Sequence, residues 1–144
     1  MDVEIFALCD AATDSAGKLN ILGAFDKIGA PKLPVVYPRC SVALRIRFDR
    51  IEQGKHRIRI NVVDADGQPI MAAFDNEINV AFPGEIQSLC ANIVLQINGL
   101  KFEKLGQYAI DMAIDGRHEK SLPVYVLQMA KPKPLQPDPG QEPI

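Results

Sequence analysis

The stretch LCDAATDSAGKLN, residues 8–20, sets Cys9 beside Asp10 and just ahead of Asp14. A thiol among carboxylates suggests a nucleophile or a metal cradle, and both need partners. A catalytic thiolate needs a base, commonly an imidazole, within hydrogen-bond reach. The chain has only His56 and His118, and the hydropathy pattern puts one at a strand start and the other in a hairpin turn. No nucleophile motif surrounds Cys9, Cys40 or Cys90, and the GxSxG of serine hydrolases is absent. Two scattered histidines and three scattered cysteines give no zinc-ligand pair at a known spacing. DADG, residues 64–67, opens like a calcium loop, but Gln68 and Pro69 follow where further oxygen ligands should come. An Asp-Gly hairpin turn accounts for it better. Asp111 and Asp115 share one outward strand face about 13 Å apart, too far for one glycosidase site. No glycine-rich loop opens a helix to cradle phosphate. These residues predict no catalytic group, no metal, no cofactor, and a protein that is not an enzyme.

The arginines are the least ordinary feature. In SVALRIRFD, Arg45 and Arg47 project from one strand face, and in KHRIRINVVDADG, Arg57 and Arg59 do the same. Asp111 on a neighbouring strand is the expected partner of the second pair. Around the first pair the outward residues Asn92, Val94 and Gln96 carry no charge, so only Glu4 can compensate. Arg45 and Arg47 are then expected to keep bidentate capacity for a carboxylate or phosphate. Phe6 and Leu8 lie opposite Val3 and Ile5, so the first strand is apolar on both sides. Phe6, Leu8, Arg45 and Arg47 together form the candidate interaction face, because interface cores enrich aromatics and arginine. The rival expectation is that the proline-rich crossover at 30–39 covers Phe6 and Leu8.

Bulk properties narrow the setting. A chain of 144 residues with 47% hydrophobic and 24% charged residues reads as one ordinary globular domain. A net charge of −2 provides no global field for nucleic acid or an anionic membrane. No apolar run reaches the roughly 18 residues that span a bilayer. MDVEIFALCD has acids where a secretory signal needs a basic region. Three cysteines without a CxxC fit a reducing compartment. The expected location is cytoplasmic.

The elements that must position these residues are strands. Val42, Leu44, Ile46 and Phe48 alternate with Ala43, Arg45, Arg47 and Asp49, the period of a half-buried strand. Ile58, Ile60 and Val62 repeat it, as do Leu89 to Ile97 and Tyr108 to Ile114. Asp66-Gly67, Asn98-Gly99 and Asp115-Gly116 punctuate the runs as turns. The opening stretch is then a strand through Val3, Ile5, Ala7 and Cys9, a turn at Asp14–Gly17, and a strand through Leu19, Ile21 and Phe25. Pro31, Pro34 and Pro38 predict a stiff crossover. The domain is expected at 1–128, followed by a proline-rich extended or disordered tail at 129–144.

GLKFEKLGQYAIDMAID places a leucine, a glycine and one spacer before Tyr108. This matches the tyrosine corner at the start of strand F in immunoglobulin-like sandwiches. The predicted fold is an all-β, immunoglobulin-like antiparallel β-sandwich of about seven to nine strands. Residues 41–49 would be strand B, 56–64 C, 87–97 E, 107–115 F and 117–128 G. Ile110 stands where such domains carry their second cysteine, and the chain has no tryptophan. On LCDAATDSAGKLNILGAFD, VALRIRF, VDADGQPI and GLKFEKLGQYAIDMAIDG, the chain resembles a family of small bacterial proteins known only as a domain of unknown function. The resemblance covers roughly residues 1–128. It implies an immunoglobulin-like sandwich and supplies no activity, ligand or site residue.

Two functions are consistent with this reading. The first is a non-enzymatic interaction module that binds a protein partner, or itself, through a sheet face or edge, without nucleic acid or membrane. The second is a small-ligand or enzymatic role in a pocket at the loop end of the sandwich, near His56, His118 and Asp115.

Overall fold

The structure, a computed structural model, describes residues 1–130. The tail expected at 129–144 therefore lies outside the described residues from position 131 onward. The strands are β1 (Asp2–Ser15), β2 (Lys18–Ala24), β3 (Lys27–Ala30), β4 (Val35–Asp49), β5 (Gly54–Val63), β6 (Phe74–Val80), β7 (Ser88–Phe102), β8 (Gly106–Ile114) and β9 (Arg117–Gln128). They form two sheets, ordered β2-β1-β4-β7 and β3-β9-β8-β5-β6. Neighbours are antiparallel except β3 and β9, which run parallel. The sheets pack face to face around one apolar core, so the fold is an all-β sandwich.

Period-two alternation fills that core. Val42, Leu44, Ile46 and Phe48 of β4 are fully buried, facing Ile58, Ile60 and Val62 of β5 and Ile110, Met112 and Ile114 of β8. Fully burying each such side chain is worth about 1.5–3 kcal/mol. At the β7–β8 corner, the Tyr108 hydroxyl donates to the Lys104 carbonyl at 2.8 Å, while the ring packs edge-on against Phe102.

Three departures from the sequence expectations have physical causes. First, β4 begins at Val35 and contains Pro38, where a crossover was expected. At Pro38 the strand has only β7 beside it, because β1 pairs with β4 no further than Ser41. A proline without a ladder N–H is tolerated at such a one-sided position. Second, β3 and β6 were not anticipated. Both are short edge strands with mixed polarity, and an edge strand needs only part of its surface apolar.

Third, Phe6 and Leu8 do not face outward. Register shifts between Val3 and Ile5, where Glu4 is the extra residue of a bulge. A bulge reverses the alternation of everything beyond it. Val3 thus aligns with Ile46, and after the bulge Phe6 and Leu8 align with Leu44 and Val42. Both are buried in the core, and Ile5 and Ala7 take the outward side.

The opening stretch forms a hairpin. Its two-residue turn, Ala16-Gly17, has φ of 52° and 77°, the left-handed pair that matches strand twist. The hairpin folds back over the outer face of the first sheet. The Gly17 carbonyl accepts from Asn92 Nδ2 at 3.1 Å, and β1 approaches β7 although β4 separates them in the sheet. This cover explains why Cys9, Ser41 and Ala43 are buried yet stand apart from the intersheet core.

Candidate functional site

Of the four residues expected to form an interaction face, Arg45 and Arg47 are on the outer surface and Phe6 and Leu8 are not. The bulged Glu4 sits between the two arginines. Arg45 Nε donates to Glu4 Oε1 at 3.0 Å and Arg47 Nε to Oε2 at 2.7 Å. Arg45 also donates to Asn92 Oδ1, and Arg47 to Ser88 Oγ. The Arg47 contact, then the Cys90 thiol and Arg45, bring the Glu4 carboxyl down to about 2. The bidentate capacity expected to remain for a ligand is therefore engaged within the chain. Both arginines reach across to β7 and fix its outward side chains.

On the second sheet, Arg57 and Arg59 pair with Asp75 of β6 at 2.6 and 3.2 Å, where Asp111 was expected. Asp111 lies on β8, the other neighbour of β5, where it aligns with Asn61 and accepts from Ser121 Oγ. Ser121 Oγ is also 3.3 Å from His118 Nε2. The hydroxyl lies between the acid and the imidazole.

His56 and Asp115, two of the residues named for the loop-end reading, close on each other. His56 Nδ1 lies 2.6 Å from Asp115 Oδ2, and Nε2 lies 2.5 Å from the Glu52 carbonyl. Two acceptors facing the two ring nitrogens suit an imidazolium with two N–H donors. Burial opposes the charge, but the Glu52 carbonyl and then Asp115 outweigh it and raise the pKa above 6.5. Asp115 further accepts the Arg57 backbone N–H. His118 is not part of this group.

The three cysteines are unpaired. Burial, then Cys9, pushes Cys40 up to about 11, and burial likewise raises Cys9 and Cys90. Thiols shifted in that direction are poor nucleophiles. Among the described residues no cluster of three or more His, Cys, Asp or Glu is placed to hold a metal ion. One cleft of about 350 Å³ lies by Asp64, Ile70, Lys101, Lys104 and Tyr108. Another of about 360 Å³ lies by Phe6, Phe25, Leu122 and Pro123. Neither is lined by His56, His118 or Asp115.

The least expected feature is an edge. Along β7, fourteen of its fifteen residues pair with β4 in one unshifted register, and on the other side no strand among the described residues pairs with it. Residues 86–100, IQSLCANIVLQINGL, carry no charge. Leu89, Ala91, Ile93 and Leu95 turn toward the core but are only partly buried, because the sheet stops beside them. The other edges are blunted. β2 has seven residues and Lys18, β3 has four and Lys27, and β6 has Asp75 and Glu77. Where β1 and β9 run past β2 and β3, they carry Asp2, Glu4, Arg117, Glu119, Lys120 and Pro123. Charge, proline and shortness are the devices that keep sheet edges from pairing with other chains, and β7 lacks them from Ser88 to Leu100. The sequence held the signal in its uncharged run, but only topology shows that the run lies at an edge.

Fold and site together define an all-β sandwich with a long, uncharged, open edge, and no helix among the described residues is long and apolar enough to cross a membrane. The chain belongs to DUF6941, a family of unknown function whose model matches residues 4–127. A search of curated proteins finds no match.

Proposed function

We propose that the protein is a non-enzymatic interaction module that binds a protein partner by adding a strand at β7. The observation that carries this reading is the contrast between β7 and the other edges. Strand addition draws affinity from main-chain hydrogen bonds and specificity from alternate side chains, and β7 supplies both along its length. Arg45 and Arg47 border the edge and hold Asn92 and Ser88 in place. An immunoglobulin-like arrangement is part of the reading. It is supported by β4 beside β7 in one sheet, β5, β8 and β9 adjacent in the other, and the Tyr108 corner. A cytoplasmic setting fits the three unpaired cysteines.

Photo-crosslinking tests the reading. A photoreactive residue at Gln96, exposed on β7, is compared with one at Asn20, exposed on the opposite edge strand β2. Protein adducts should form from position 96 in clear excess. Adducts from position 20 alone, or from neither, contradict strand addition at β7.

A further inference from the structure

We infer that the strand added at β7 is β7 of a second copy, antiparallel across a twofold axis, so that the two first sheets become one continuous sheet. This rests on the strand-addition reading and names its partner. A twofold axis sets identical strands against each other, so any charge on the strand meets its own kind. β7 from Ser88 to Leu100 has none. The same pairing at β2, β3 or β6 would bring together lysines or carboxylates.

Register agrees. Along β7 the odd residues Leu89, Ala91, Ile93 and Leu95 face the core, and the even residues Ser88, Asn92 and Val94 align with the outward Asp49, Arg45 and Ala43. Antiparallel twofold pairing keeps like faces together when the axis passes through a residue. With the axis at Asn92, Leu89 lies opposite Leu95 of the partner subunit and Ala91 opposite Ile93 of the partner subunit. The half-covered apolar row of each copy then continues into that of the other. The absence of a bulge along the β4–β7 ladder leaves the edge regular enough for this. The chain's own residues 131–144 do not suit the role. They carry prolines at 132, 134, 137, 139 and 143, each without the N–H that a ladder needs.

Sedimentation equilibrium on the full chain tests the inference, with Gln96→Lys and Val94→Lys compared against wild type. An edge lysine is a barrier to strand pairing. Gln96 is exposed, so its substitution leaves folding intact even if Val94→Lys disturbs the hairpin over the sheet. The wild type should dimerise, and Gln96→Lys should weaken the dimer by at least about tenfold, with circular dichroism unchanged. Adducts from the photoreactive residue at 96 should have the mass of two chains. A wild-type monomer at every concentration overturns the inference, as does a dimer that both folded variants leave intact. Adducts at 96 with a different protein overturn it too, but leave strand addition standing. No adducts at 96 remove both.

Discussion

His56 is held between an aspartate and a carbonyl, with its ring against Phe48 at 4.9 Å. Its pKa is raised in the folded state, so its contribution to stability is full below about 6.5 and declines as pH rises through the folded value. Asp115 is lowered despite burial, by the Arg57 N–H and His56, and its contribution is lost only as pH falls below about 3.8. The pair therefore stabilises most between those limits. Asp115 is 42% exposed, so solvent screening keeps the effect under about 1 kcal/mol. Urea midpoints should fall from pH 6 to 8 in wild type and change less in His56→Gln. Tyr108→Phe removes the hydroxyl that bonds Lys104 and should cost about 1 kcal/mol; coincident urea curves would refute the corner. Phe6 is 7% exposed, and Phe6→Ala should cost about 3–5 kcal/mol. A near-neutral change there would mean that the bulge does not turn Phe6 inward.

At the scale of elements, the hairpin β1–β2 and the strand β7 act on the same face. Gly23 has φ of 68°, and a Cβ there would come 2.7 Å from Asp10 Oδ2. Gly23→Ala should therefore destabilise by about 1 kcal/mol or more, and amide exchange should show the loss first in β1–β2. Uniform loss across the sandwich would argue that the hairpin is not a separate cover. The alternation of Val42 to Phe48 and Ile58 to Val62 made the central strands legible, since a strand with one face on the core and the other turned outward alternates apolar with polar residues. The bulge at Glu4 was not legible, because one extra residue changes register without changing composition. β3 and β6 escaped for a related reason: their single neighbours impose little pattern. The Tyr108 corner was legible because leucine, glycine and tyrosine stand at fixed offsets. The Arg45–Arg47 face was half legible. The arginines and Glu4 were identifiable from spacing, but Phe6 and Leu8 were assigned to it by an alternation that the bulge had already reversed.

At the scale of the molecule, the sandwich pairs the arginines of its sheet faces and leaves the β7 edge without a blunting charge from Ser88 to Leu100. Glu4 engages Arg45 and Arg47, Asp75 engages Arg57 and Arg59, and Asp115 engages His56. Among the described residues, the side of β7 away from β4 has no strand partner, and the apolar row beside it is only partly buried. A monomer with this edge is prone to strand addition, and function through that edge would put the liability to use. Residue-resolved amide exchange along β7 tests the claim most directly. In an antiparallel ladder, alternate amides face each neighbour. In the monomeric Gln96→Lys variant, the amides of residues 88–97 that face β4 should be slow and those that face away should be fast. In wild type at high concentration, both sets should be slow. Fast exchange of the outward set at every concentration, or new protection at β2, β3 or β6 instead, would contradict the account.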